Sequence, residues 1–78
     1  MKEFESEVVS GNLKAMRVRS GLTQVEVAEK LGVSVKTFRR YEQTPEKMFI
    51  GYFYKLAELY GCLPRSFFVG CESPIWGI

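Results

Sequence analysis

The 78-residue sequence contains no histidine, and all nine of its acidic residues are glutamate. Enzymes draw many of their general acids, bases and metal ligands from histidine and aspartate, and a chain this short has few residues with which to wall a pocket. Two cysteines, Cys62 and Cys71, fall short of the four ligands of a structural zinc site. We therefore expect no enzymatic activity, no bound metal and no cofactor.

Long apolar runs are also missing. No stretch approaches the roughly 20 residues that cross a bilayer, and residues 1–5 are mostly charged, unlike a secretory signal. We expect no contact with a membrane, a cytoplasmic location and reduced thiols, because disulfides are rare in that compartment. Residues 1–6 are predicted to form a flexible acidic N-terminus.

Positive charge is concentrated in the middle of the chain. The net charge is only +2, but residues 10–40 carry seven lysines and arginines against two glutamates, a sum of +5. Residues 1–9 sum to −2 and residues 41–78 to −1. A basic segment between acidic ends is the pattern that a phosphate backbone attracts.

Apolar residues recur at helical spacing, whereas strand patterns are weak. The sequence predicts helices over residues 7–19, 24–31, 35–43, 49–60 and 64–68. Five residues of the fourth helix are expected to face inward, namely Ile50, Phe53, Leu56, Ala57 and Tyr60. The predicted fold is all-α, a compact bundle of four to five short helices over residues 7–69, followed by an apolar C-terminal tail, residues 70–78.

Residues 24–41 fit two helices that cross at a sharp turn. Ala28 is small enough for two backbones to approach, and Gly32 tolerates the positive φ of a tight turn. Phe38 and Tyr41, one helical turn apart, can anchor the second helix in the core. Thr23 and Glu26 form a capping-box pattern at the start of the first of the two helices. The spacing predicts a helix-turn-helix.

The third helix has one face without an acidic residue. On a helical wheel, Phe38 and Tyr41 point inward, and the opposite side spans about 140°. That side consists of Val35, Lys36, Arg39, Arg40 and Gln43. An ordinary solvated face mixes both signs of charge, whereas this one carries three cations. Arginine and lysine hydrogen-bond guanine in the major groove, and an apolar side chain contacts the thymine methyl, so double-stranded DNA is the predicted partner.

The segment LTQVEVAEKLGVS, residues 22–34, resembles the signature of the lambda-repressor/Cro-type helix-turn-helix family, also called the XRE family. Thr37-Phe38, Tyr41-Glu42, Leu56-Ala57 and Gly61 continue the resemblance, which covers residues 12–68. It implies a lambda repressor-like DNA-binding domain that regulates transcription, as a repressor of phage or bacterial origin, and that acts as a homodimer.

The resemblance also implies roles for single residues. Base edges would be faced by Val35, Lys36 and Arg40, with Arg39 near the bases or the backbone. Phosphates would be contacted by Gln24, Thr37, Gln43 and Lys47, with Gln24 also bracing the third helix. Arg17 and Glu42 match a buried pair that ties the first helix to the end of the third. The alternative for Arg17 is a phosphate contact or a solvated side chain.

Two features depart from the family. Thr44 stands where relatives usually have glycine, and Glu46 places an anion in a loop that touches phosphate in relatives. The fourth helix is unusually aromatic, so Tyr52 and Tyr54 cannot both be buried. Some aromatic surface is therefore expected to remain exposed.

Surplus apolar surface leaves a second function open. The same fold can serve as a protein-interaction module, such as an antirepressor, a repressor modulator or an antitoxin. Dimer or partner contacts are predicted for Tyr52, Tyr54, Ile75, Trp76 and Ile78. The tail that holds the last three can fold back on its own subunit, cross to a second subunit or dock on a different protein. We expect Trp76 at or near a homodimer interface.

Overall fold

The computed structural model describes residues 5–70, and within them every regular element is helical. Four α-helices follow one another: α1, Ser6–Arg19; α2, Gln24–Leu31; α3, Val35–Gln43; and α4, Ile50–Tyr60. Two 3₁₀ turns, Pro45–Lys47 and Pro64–Phe68, follow α3 and α4 respectively. The all-α prediction is confirmed, and the predicted short fifth helix is a 3₁₀ turn that begins at the expected proline.

Local capping determines where the helices begin and end. The Thr23 side chain accepts a hydrogen bond from the Glu26 amide at 3.1 Å, and the Glu26 carboxylate accepts one from the Thr23 amide at 2.8 Å. Gly32 has φ +79° and Gly61 has φ +69°, so both helices end in the left-handed conformation that glycine adopts without strain. The predicted capping box and glycine stops are confirmed.

The core lies between the four α-helices, and the second 3₁₀ turn closes it by packing against α1 and α4. Its buried members are Val9, Leu13, Val27, Ala28, Leu31, Phe38, Met48, Phe53, Leu56, Ala57 and Phe67. Asn12 of α1 donates hydrogen bonds to the carbonyl oxygens of Phe67 and Val69, at 2.9 and 2.8 Å. These bonds hold the end of the described chain against α1.

One predicted core position is wrong. Ile50 was expected to face inward, but 59% of its surface is exposed. It is the first residue of α4, and the second 3₁₀ turn packs further along the helix, with Phe53 rather than Ile50 against Phe67 and Phe68. Helical periodicity identifies a face but not how far a neighbouring element covers it.

The connection after α3 is held by contacts at both of its ends. Thr44 has φ −129° and ψ 76°, outside the helical region that a following proline disfavours, and Pro45 is buried. The Ser6 hydroxyl donates a 2.7 Å hydrogen bond to Glu46, which lowers the pKa of that carboxyl below 4.5. Glu46 thus ties the first 3₁₀ turn to the start of α1.

Candidate nucleic-acid interface

The α2 and α3 helices form the predicted helix-turn-helix. Ala28 is buried where the two helices meet, and Gly32 supplies the left-handed residue of the turn. A Cβ at Gly32 would have no atom within 4 Å, so this position needs glycine for its φ and not for space. Ser34 caps α3 through a 3.1 Å bond from the Thr37 amide, and Phe38 anchors it in the core.

The outward side of α3 is basic and open to solvent. Its exposed residues are Lys36, Arg39, Arg40 and Gln43. Val35 and Thr37 are half-buried at its margins, where Val35 packs partly against the core. The Thr37 hydroxyl also accepts a 3.0 Å hydrogen bond from Ser34. The four predicted base-facing residues therefore occupy one side of one helix, with Val35 at its edge.

The single acidic residue of α3 is removed from this surface. Glu42 is 5% exposed, and its Oε2 accepts a 2.8 Å hydrogen bond from Nε of Arg17 on α1. Arg17 also donates a 3.0 Å bond to the carbonyl of Leu22. Because both charges are shielded and paired, Glu42 adds no exposed negative charge to this side of α3, and the pair joins α1 to the end of α3.

Gln24 extends this pair into a chain of four side chains. Its Nε2 donates to Glu42 at 2.8 Å, and its Oε1 accepts from Nε of Arg39 at 3.1 Å. The side-chain amide of Gln24 therefore links the buried Arg17–Glu42 pair to Arg39 on the exposed side of α3. Within the described residues the Arg39 side chain is hydrogen-bonded through Nε alone, so its two terminal nitrogens still have donors to offer.

The Gln24–Arg39 bond has no counterpart in the sequence-based predictions. The resemblance suggested that Gln24 braces α3, but the residue it would hold was not identified. Ser10, whose hydroxyl donates a 2.6 Å bond to the carbonyl of Glu42, was missed as well. Ser6 and Ser10 stand one turn apart on α1, and that spacing of two hydroxyls is the signal that would have found both contacts.

The other residues with predicted contacts lie outside α3. Lys47 is exposed in the first 3₁₀ turn. Tyr52 is half-buried, with its ring centre 5.7 Å from that of Tyr41, whereas Tyr54 is 61% exposed. Three tail residues for which contacts were predicted, Ile75, Trp76 and Ile78, lie outside the described residues.

Neither a metal centre nor a membrane segment emerges from residues 5–70. Within that range no three side chains of the metal-binding types come together. None of its helices combines the length and the apolar character required to traverse a bilayer. Cys62 is a free thiol, packed near Met16, and burial raises its pKa.

Comparison with protein families agrees with this geometry. The model of the family described as "Helix-turn-helix domain" matches residues 9–66, which include all four α-helices apart from the first turn of α1. Comparison with curated proteins and with solved structures found no match. With a specific family model covering about three-quarters of its length, the chain belongs to the helix-turn-helix domain family.

Proposed function

We propose that this protein binds double-stranded DNA in a sequence-specific manner, with α3 in the major groove, and represses transcription from the sites it occupies. The observation that carries the proposal is the charge arrangement of α3. Its three cations are exposed, while its only anion, Glu42, is buried against Arg17. A helix that faces only solvent gains nothing when its acidic residue is buried in an ion pair. A helix that approaches phosphates avoids repulsion when that acidic residue is buried and paired.

The outward positions divide into reading and positioning contacts. Lys36 and Arg40 are exposed, and their side chains form no hydrogen bond to the described residues, so both are free to meet base edges. Arg39, oriented by Gln24, reads bases from the edge nearer α2, and Val35 contributes its exposed methyl surface. These contacts supply sequence preference, because only base edges distinguish one site from another.

Phosphate contacts flank the reading positions. Gln24 is the first residue of α2, where backbone N–H groups lack an intrahelical partner and the helix dipole favours a phosphate. Thr37, Gln43 and Lys47 lie at the margins of α3 and complete the proposed backbone contacts. The protein then acts in the cytoplasm as a homodimer on two half-sites about one helical turn of DNA apart.

Selection of bound sequences from random duplex DNA tests the proposal directly. We expect a defined motif with two related half-sites and an affinity that falls steeply with salt. Recovery of random sequences would contradict specific readout. Lys30→Ala is the matched control for changes on α3, because Lys30 is an exposed cation at the opposite end of α2 from Gln24.

A protein-interaction module is the second candidate function. The observation that favours it is the exposed apolar surface on α4, where Phe49, Ile50 and Tyr54 are each more than half exposed. This function would be favoured over DNA binding if the protein is not retained on immobilised duplex DNA at low salt and if it captures a regulator protein.

A further inference from the structure

A buried carboxylate and an exposed guanidinium lie at the two ends of the Gln24 side-chain amide. Nε2 of Gln24 donates a 2.8 Å hydrogen bond to Oε1 of Glu42, and Oε1 of Gln24 accepts a 3.1 Å bond from Nε of Arg39. Glu42 is 5% exposed, Gln24 is half-buried and Arg39 is exposed. The three side chains therefore connect the interior of the domain to the outward side of α3.

The chemistry of these two neighbours fixes the orientation of the Gln24 amide. A carboxylate only accepts hydrogen bonds, whereas a guanidinium only donates them. Gln24 satisfies both when its NH₂ group points to Glu42 and its oxygen points to Arg39. The reverse orientation would place oxygen against oxygen and NH₂ against Nε–H, and both bonds would be lost. The negative charge of Glu42 therefore determines that an acceptor faces Arg39.

Glu42 is itself held by two residues of α1. Arg17 donates a 2.8 Å bond from Nε to Oε2 of Glu42 and a 3.4 Å bond from Nη2 to Oε1. The Ser10 hydroxyl donates a 2.6 Å bond to the backbone carbonyl of Glu42. The carboxylate is thus a fixed acceptor, because contacts with α1 hold it as well as its own helix.

Arg39 keeps a defined pair of donor groups when its Nε is bonded to Gln24. Its two terminal nitrogens lie side by side at the end of the planar guanidinium. Guanine presents two acceptors side by side, O6 and N7, on its major-groove edge. A side chain that is already bonded also has less rotational freedom to lose on binding than Lys36 or Arg40, whose side chains form no hydrogen bond to the described residues.

We propose that Glu42 is a positioning residue for DNA readout: acting through Gln24, it holds Arg39 so that the two terminal nitrogens of Arg39 meet one guanine. The inference rests on the proposed function, because it names the base that one residue of α3 reads. It adds that the preference at this base pair depends on a buried residue that does not touch DNA. Arg40 has no such support and reads its own base pair independently of Glu42.

Base preference, measured at each position of the selected sequence, tests this dependence. Arg39→Ala should abolish the preference for guanine at one base pair. Gln24→Met, which keeps the length of the side chain and removes its amide, and Glu42→Gln should each reduce that same preference by about five-fold. The base pair whose preference changes in Arg40→Ala should be read as in the wild type by both variants. Loss of a phosphate contact at Gln24 does not mimic this result, because it lowers affinity for every duplex alike.

Ser10→Ala separates positioning from a general loosening of the joint between α1 and α3. It removes a contact between α1 and residue 42 but leaves the carboxylate and Gln24 in place, so the guanine preference should keep its wild-type value. Glu42→Gln also weakens the fold, because it breaks the charge pair with Arg17. Gln24→Met leaves that pair intact and carries the test if Glu42→Gln does not fold. An equal loss of preference at all base pairs in Gln24→Met, or an unchanged preference at the Arg39 base pair, would overturn the proposal.

Proton exchange with water in the free protein gives a measurement without DNA. In ¹⁵N–¹H spectra of the full chain, the Nε–H of Arg39 should exchange several-fold more slowly than that of Arg40, and Gln24→Met and Glu42→Gln should remove the difference. Equal exchange of the two arginines in the wild type would overturn the positioning role and leave DNA binding by α3 standing. Slow exchange at Arg39 in a protein that selects no sequence from random duplexes would contradict the DNA-binding function, and with it the assignment of guanine.

Discussion

At the scale of single residues, α3 separates side chains that hold the fold from side chains that face outward. Phe38 and Glu42 are buried, whereas Lys36, Arg40 and Gln43 are exposed and their side chains form no hydrogen bond to the described part of the chain. Arg39 stands between the two groups, because it is exposed but bonded to Gln24. Each group should respond differently to substitution.

Arg40→Ala should lose about 1–3 kcal/mol of binding free energy at a cognate site and relax the preference at one base pair. A guanidinium at mid-helix on the outward side can bond two acceptors of one guanine. Titration of matched duplexes that differ at single positions measures this, with Lys30→Ala as control. An equal loss on every sequence would identify Arg40 as a phosphate contact instead.

Gln24 and Arg39 should be coupled in DNA binding. Gln24→Ala frees the Arg39 side chain, so part of the Arg39 contribution is lost with it. A double-mutant cycle on duplex affinity should give a coupling of about 1 kcal/mol. Additive losses would show that Gln24 acts only through its own contact with phosphate and does not brace α3 through Arg39.

At the scale of elements, the Arg17–Glu42 pair carries the connection between α1 and α3. Their side chains are 10% and 5% exposed. Removal of one partner leaves a buried charge uncompensated, and we expect Arg17→Ala and Glu42→Ala each to lower the free energy of unfolding by about 3–5 kcal/mol. In the double variant the loss of unfolding free energy should be clearly smaller than the sum of the two single-variant losses.

Thermal or urea unfolding of the four proteins in this cycle measures the coupling. Lys14→Ala is a suitable control, since Lys14 is an exposed cation on the same helix. Strict additivity would mean that the two charges stabilise the fold independently.

The capping box of α2 should make stability depend on pH in the acid range. Hydrogen bonding from the Thr23 backbone, and next from its side chain, lowers the pKa of Glu26 below 4.5. A carboxyl whose pKa is lower in the folded state stabilises the fold above its unfolded pKa. That contribution disappears as the pH falls through the folded value.

Glu26→Gln should therefore reduce the loss of thermal stability between pH 5 and about pH 3. Glu29→Gln, an exposed position on the same helix, is the control and should leave the profile close to wild type. Identical profiles for the wild type and the Glu26 variant would contradict a role for the carboxylate in the cap.

Local signals account for what the sequence predicted correctly. Capping residues, glycines of positive φ and helical spacing act within a few residues, and they placed every α-helix boundary within one residue. Ile50 and the Gln24–Arg39 bond depend instead on how separate elements meet in space. The segment Pro64–Phe68 forms a 3₁₀ turn and not the predicted fifth helix, and it packs against α1 and α4. The spacing of apolar residues in the sequence does not reveal such packing.

At the scale of the whole molecule, the location of charge matters more than its sum. The net charge is +2, yet the exposed cations of α3 face one direction while Glu46 is tied to Ser6. Binding to duplex DNA should therefore be strongly salt-dependent despite the small net charge. Lys47→Ala should reduce the slope of log affinity against log salt by about 1.

Affinity measured across a salt series, on both cognate and unrelated duplexes, tests the Lys47 prediction. Lys47 lies outside α3, so its loss should affect both duplexes equally. An unchanged slope would place the first 3₁₀ turn away from the phosphate backbone, in keeping with its departure from the family pattern at Thr44.

The way α3 is attached also has a consequence for how such a protein can diverge. Its attachments include Phe38, Glu42 and the Ser34 cap, and within the described residues no side-chain hydrogen bond involves the side chain of Lys36, Arg40 or Gln43. Those three positions can change in descendants, or be randomised in a library, with little penalty in folding. A change at residue 39 breaks the bond to Gln24, so it is favoured by a compensating change there. New target sequences are thus accessible by single substitutions at three positions and by paired substitutions at a fourth.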